Sequence, residues 1–108
     1  MNQQVIEMAE IKLAKGKTEA DLIAGAEQMR EGFLSQQPGF VSHDLVSMGD
    51  GKYADIVRWE SDEKAREAMG NAESSSACAS YFTLMEFDPE DPHDGVTHFT
   101  VLSGPGAK

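Results

Sequence analysis

The stretch from Phe40 to Glu60 constrains this chain most. Two runs rich in β-branched and aromatic residues, Phe40 to Met48 and Tyr53 to Glu60, are separated only by Gly49-Asp50-Gly51. Short runs with a glycine-bounded turn between them fit a β-hairpin and leave no room for a crossover. A hairpin alone is marginal in water and needs further strands or a covering helix. The flanks supply both. Val5 to Leu13 reads as a first strand, with Val5, Ala9, Ile11 and Leu13 on one face, Glu7 intruding among them, and Ile6 and Met8 on the other. Val96 to Leu102 reads as a last strand.

Between the first strand and the hairpin, Thr18 opens a helix and forms a weak capping-box pattern with Asp21. Leu22, Ala26, Met29 and Phe33 recur as one helical stripe, with Ile23 and Leu34 beside it, and Pro38-Gly39 ends the run. After the hairpin, Ser61 is placed as an N-cap with Asp62 and Glu63 favourable against the helix dipole. Ala65, Ala68, Met69 and Ala72 form a small apolar face, Gly70-Asn71 is expected to interrupt the helix, and Cys78, Tyr81, Phe82 and Met85 mark a second helical piece. The order is βαββαβ, an α+β ferredoxin-like layout: a four-stranded antiparallel sheet with the helices on one face. Apolar residues on both faces of these strands leave the uncovered face in need of a partner, and pairing two identical sheets gives a two-fold homodimer.

At 108 residues the chain is expected to form one domain, 1–103, with 104–108 as a flexible tail. Nineteen acidic side chains against 9 basic ones give a net charge of −10. Nucleic acid and anionic membrane surfaces are therefore unsuitable partners. Cys78 is the only cysteine, which fits a reducing compartment, and neither a signal peptide nor a membrane span is visible. The cytoplasm is the expected location.

Pro38-Gly39-Phe40-Val41-Ser42-His43, the glycine-rich turn and Asp55-Ile56-Val57-Arg58-Trp59-Glu60-Ser61 together resemble the antibiotic biosynthesis monooxygenase (ABM) group of dimeric α/β barrels. Those chains carry a Pro-Gly before strand two and a Trp-Glu-Ser-like end to strand three. The likeness spans residues 4 to 102 in layout and is sharpest over 38 to 61. It implies a dimeric α/β barrel, a fold shared by cofactor-free quinol and polyketide oxygenases, haem-degrading enzymes and members without known activity. The haem-degrading relatives pair such a tryptophan with an asparagine on strand one and a histidine on the second helix. Here Ile11 and Met69 take those places and offer neither a polar contact nor an iron ligand, so haem degradation is disfavoured and no cofactor or metal is expected. In the polyketide oxygenases an asparagine precedes the tryptophan where this chain has Asp55.

Asp55, Val57 and Trp59 alternate onto one face of strand three. Trp59 reads as a core anchor that can also wall an apolar pocket. A mid-strand carboxylate such as Asp55 is costly to bury unless paired; Arg58 or Lys52, exposure near the hairpin end, or a site role would each explain it. The face of His43 depends on the turn. A three-residue Gly49-Asp50-Gly51 loop pairs Met48 with Lys52 and sets His43 opposite Val57, beside Asp55, with Val41 and Leu45 on the helix-covered face. A two-residue Asp50-Gly51 turn pairs Gly49 with Lys52 and sends His43 to the other face. The first is favoured. His98 lies on the last strand, His93 in an acidic loop that lacks calcium-site spacing, and Cys78 reads as a buried, inert thiol.

The resulting expectation is a cofactor-independent monooxygenase for a small phenolic or quinol-like aromatic substrate. His43 would be the base and Asp55 its orienting carboxylate, with Trp59, Phe33, Met29, Leu22 and His98 lining the substrate pocket. The alternative from another class is a non-catalytic homodimeric module that binds a small apolar or aromatic ligand in the same space. A third reading is a purely structural dimer.

Overall fold

A computed structural model of the chain describes residues 3–86 and 95–104. Its elements are β1 (Val5–Lys12), α1 (Glu19–Gly32), β2 (Phe40–Gly49), β3 (Lys52–Trp59), α2 (Asp62–Ala72), α3 (Ser76–Phe82) and β4 (Val96–Thr100), with a short 3-10 turn at Leu34–Gln36. The strands form one sheet in the order β2-β3-β1-β4, every pair antiparallel, as the ferredoxin-like reading requires. His93, the rest of the acidic loop over 87–94, and tail residues 105–108 lie outside the described residues.

Local chemistry sets the helix starts. Thr18 and Asp21 make both arms of a capping box. Ser61 accepts from the Lys64 N–H at the start of α2, and Ser75 accepts from the Cys78 N–H at the start of α3. The expected break at Gly70-Asn71 does not occur; α2 continues to Ala72. A glycine weakens a helix by about 1 kcal/mol without ending it, and the buried Ala65 and Ala68 hold this one to the sheet. Met85 lies past the end of α3 and instead bridges Leu13.

The hairpin settles the register by an unexpected route. Asp50 and Gly51 both take left-handed φ values, 53° and 74°, and Gly49 pairs with Lys52. This is the two-residue turn, which alone would turn His43 to the far face. A bulge at Met48, between the pairs Ser47–Tyr53 and Gly49–Lys52, undoes that slip, and His43 ends opposite Val57. A second bulge between Phe40 and Ser42 takes Val41 out of the alternation and leaves it 42% exposed instead of under the helices. Gly39 is needed just before it. At its φ of 84° a Cβ would sit 2.5 Å from the Lys64 side chain, while its carbonyl accepts from Glu60 N–H at 2.8 Å. The Pro-Gly step thereby ties β2 to the end of β3 and the start of α2.

The core lies between the helices and one sheet face. Ile11, Tyr53, Val57 and Trp59 pack there with Leu22, Ala26, Met29 and Phe33 of the α1 stripe, Ala65 and Ala68 of α2, and Cys78 and Tyr81 of α3. Ile23, expected beside the stripe, faces outward and is exposed. On the opposite face Ile6, Met8 and Ile56 are half-buried, while Val46 and Phe99 are exposed. Among the described residues, no helix is long and apolar enough to cross a membrane.

Candidate functional site

Four residues form one row across the sheet. His43 on β2 pairs with Val57 on β3, Val57 with Glu7 on β1, and Glu7 with His98 on β4. Directly paired residues share a face, so His43 and Glu7 flank Val57 on the helix-covered side and His98 stands beyond Glu7 at the sheet edge. Asp55 and Trp59 flank Val57 at alternate positions of β3 and are buried on that same side.

His43 is enclosed; its side chain has no solvent exposure. Nε2 lies 2.7 Å from Asp55 Oδ1, and Nδ1 accepts from Arg30 Nε of α1 at 3.0 Å. A guanidinium can only donate, so Nδ1 presents its lone pair and the ring proton resides on Nε2, directed at the carboxylate. Asp55 also accepts from the Tyr81 hydroxyl of α3, at 3.0 Å to Oδ1 and 2.9 Å to Oδ2. Its partners are thus His43 and Tyr81, not Arg58 or Lys52; Arg58 reaches Gln4 instead. Burial, with the Asp55 charge beside it, pushes the Tyr81 hydroxyl's pKa far up, so it remains a donor throughout the working range. The result is a closed chain, Arg30–His43–Asp55–Tyr81, drawn from four elements.

Glu7 is the second polar centre. Its Oε1 lies 3.3 Å from His98 Nε2, with side-chain exposures of 16% for Glu7 and 30% for His98. Desolvation raises its pKa above the usual 4.5 and Asp55 adds to this, while His98 and the Trp59 side chain act in the opposite sense. The Trp59 indole nitrogen is buried without a properly formed hydrogen bond.

Leu22, Met29, Phe33 and Trp59, expected to line a pocket, are buried together with Val57 in one apolar cluster. Trp59 also meets Phe40 edge to face, centroids 5.9 Å apart. His98 stands at the β4 edge of the same face. A groove of about 340 Å³ lies elsewhere, between α1 and α3, bordered by Asp21, Gly25, Gln28, Ser80, Tyr81 and Leu84. Tyr81 is shared between this groove and the Asp55 network. Cys78 is buried and its thiol pKa is raised by desolvation, as an inert core thiol requires. Among the described residues no three His, Cys, Asp or Glu side chains are grouped to hold a metal ion.

Sequence reasoning missed Arg30, Tyr81 and the importance of Glu7. Tyr81 looked like stripe filling, although a buried tyrosine hydroxyl needs a partner. Arg30 follows Ala26 by one helical turn, which places it beside the buried stripe. Glu7 was visible only as a charge out of place in an apolar alternation.

Comparison with known proteins agrees with this architecture. The sequence profile of the antibiotic biosynthesis monooxygenase family matches residues 4–80. No curated protein sequence matches the chain. Among solved structures, a mutant form of SnoaB, a cofactor-independent oxygenase from Streptomyces nogalater, superposes with a TM-score of 0.69 at 19% identity over 95% of this chain and 97% of that one. Rv0793 from Mycobacterium tuberculosis gives 0.64 at 19% identity, covering 94% and 98%. The heme-degrading protein Rv3592 from Mycobacterium tuberculosis gives 0.62 at 20%, covering 95% and 99%. At such identities these likenesses establish the fold and leave the chemistry to this chain's own residues.

Proposed function

We propose that this chain, which belongs to the antibiotic biosynthesis monooxygenase family, is a cofactor-independent oxygenase that oxidises a small phenolic or quinol-like aromatic compound with dioxygen. The observation that carries this reading is the enclosed 2.7 Å contact between His43 and Asp55. A carboxylate set against one imidazole nitrogen stabilises the charged ring that forms when the other nitrogen accepts a proton. Nδ1 is the only lone pair His43 has to offer, and Arg30 covers it. A substrate hydroxyl that displaces Arg30 from Nδ1 would find a base already oriented.

The aromatic ring would lie over Val57, walled by Trp59, Phe33, Met29 and Leu22, with His98 at the rim. The packed side chains must shift to admit it, and the flexible Met29 is well suited to that. Deprotonation by His43 gives a phenolate rich enough in electrons to pass one to dioxygen. The radical pair joins at a ring carbon as a carbon–oxygen bond, and the peroxide takes up a proton. Loss of that carbon's hydrogen as a proton, with cleavage of the oxygen–oxygen bond, then leaves a quinone and hydroxide, which is protonated to water. One phenol and one dioxygen give one quinone and one water, so no outside reductant is consumed.

The exposed Val46 and Phe99, with Ile6, Met8 and Ile56 around them, support a homodimer through the open sheet face, and a single cysteine, which allows no intrachain disulfide, suits the cytoplasm. A second reading is favoured by the absence of solvent exposure at His43: a non-catalytic dimer that binds a small apolar ligand. Oxygen uptake with a panel of hydroquinones and fused-ring phenols, in chelator-treated buffer, separates the two. Uptake above the buffer rate is expected with at least one compound; none across the panel favours the binding module.

A further inference from the structure

We infer that Glu7 is a second catalytic residue, the acid that protonates the oxygen leaving as the oxygen–oxygen bond breaks, and that His98 is its positioning partner and its route to solvent. The inference rests on the oxygenase reading above and extends it to a residue on another strand.

The chemistry requires two proton-handling groups in different states. The first step needs a base to take the hydroxyl proton. The last needs an acid, because hydroxide is a poor leaving group in an apolar space. His43 hands the hydroxyl proton it has taken to the peroxide and is neutral again when the oxygen–oxygen bond breaks, so a second group must supply the last proton. Glu7 has the complementary position. It stands across Val57 from His43 in the same cross-sheet row, on the same helix-covered face. Two strand spacings separate their backbones, roughly 10 Å. That span fits an aromatic ring whose reacting oxygens project toward both strands.

Glu7 is also poorly explained by folding alone. The other positions of β1 on this face, Val5, Ala9 and Ile11, are apolar. A desolvated carboxyl among them costs stability, and glutamine would offer nearly the same shape and a hydrogen-bonding oxygen to His98 without a charge. The raised pKa of Glu7 is what an acid working nearer neutrality needs. His98, 30% exposed in its side chain, can collect a proton from water and return it to Glu7 across 3.3 Å. The groups acting on Glu7 are His98 from β4, and Asp55 and the Trp59 indole from β3. From the helix layer, α2 meets the sheet through buried Ala65 and Ala68, while Lys64–Glu67 and Arg66–Asp62 pair near the surface and Glu63 is exposed.

The test is the pH profile of oxygen uptake by the full-length protein, measured for wild type, Glu7→Gln and His98→Gln on one accepted phenol. Because Glu7 acts while protonated, wild-type kcat falls on the alkaline side. Glu7→Gln loses that alkaline limb and roughly 100-fold in kcat with KM little changed. His98→Gln removes the cation that favours ionised Glu7, so its limb moves to higher pH. An active Glu7→Gln protein with the wild-type limb, or a His98→Gln limb that does not move, overturns the inference while the oxygenase reading stands. A wild-type protein that consumes no oxygen overturns both.

Discussion

His43 and Asp55 meet 2.7 Å apart across a single hairpin, and neither could do so if the bulge at Met48 were absent. One inserted residue decides which face the imidazole occupies. The contact is then closed from the helix layer, by Arg30 on the histidine and by Tyr81 on the carboxylate. A polar network this deep is tolerable only because each member is partnered.

The cost of breaking it is measurable. Tyr81→Phe removes the hydroxyl that serves both Asp55 oxygens and should destabilise the fold by about 1.5–3 kcal/mol, as expected for a hydrogen bond to a charged group. Asp55→Ala strands both the imidazole N–H and the tyrosine hydroxyl and should cost more, about 3–5 kcal/mol. Urea unfolding at neutral pH ranks the two; a smaller loss for Asp55→Ala would mean that the network is not buried as described.

The tautomer of His43 follows from its partners. Nitrogen-15 NMR of the imidazole near neutral pH should show the proton on Nε2 and a bare Nδ1. Arg30→Met should leave that tautomer in place, held by Asp55, while opening Nδ1 to solvent. A proton found on Nδ1 would remove the lone pair on which the base depends.

Glu7 makes stability depend on pH with a definite sign. Its folded pKa lies above the ordinary value of 4.5, so the folded state binds this proton more tightly than the unfolded chain does. The contribution is fully present below that ordinary value and is lost as pH rises through the folded pKa. Glu7→Gln should therefore be more stable than wild type at neutral pH, and the gain should shrink as the pH is lowered toward 4.5. Unfolding midpoints of the two proteins across this window check it; an advantage that grows on acidification contradicts the assignment.

The open sheet face should be where two chains meet. Phe99→Asp and Val46→Asp each place a charge among exposed apolar side chains, on the sheet face opposite the His43 network. Sedimentation of the wild-type chain should give twice the 11.7 kDa of one protomer, and each variant should shift toward the single-chain mass. A wild-type monomer would remove the dimer from the proposal.

How much of this was legible in the sequence varies with distance along the chain. The hairpin, the α1 stripe and the caps at Thr18 and Ser61 follow from neighbours within a few residues, and they stand where the pattern sets them. The face of His43 was reached through the three-residue loop, whereas the chain uses the two-residue turn and corrects it with a bulge that no local pattern announced. Gly70-Asn71 looked like a break because propensity was weighed without the packing of Ala65 and Ala68. The Glu7–His98 contact joins residues 91 positions apart and becomes visible only once β1 and β4 are neighbours. Arg30 and Tyr81 were hidden for the same reason: the partner that gives each its meaning lies on another element.

Oxygen uptake by wild type and Asp55→Asn on the same phenol, with chelator present, is the most direct test. Asparagine keeps the shape of the carboxylate and can still receive one hydrogen bond, but it cannot stabilise a charged imidazole. The wild-type protein is predicted to consume one dioxygen for each phenol oxidised, and Asp55→Asn to fall roughly 100-fold in kcat while remaining folded. Equal rates in the two proteins, or no uptake by wild type, would contradict the central role given to the His43–Asp55 pair.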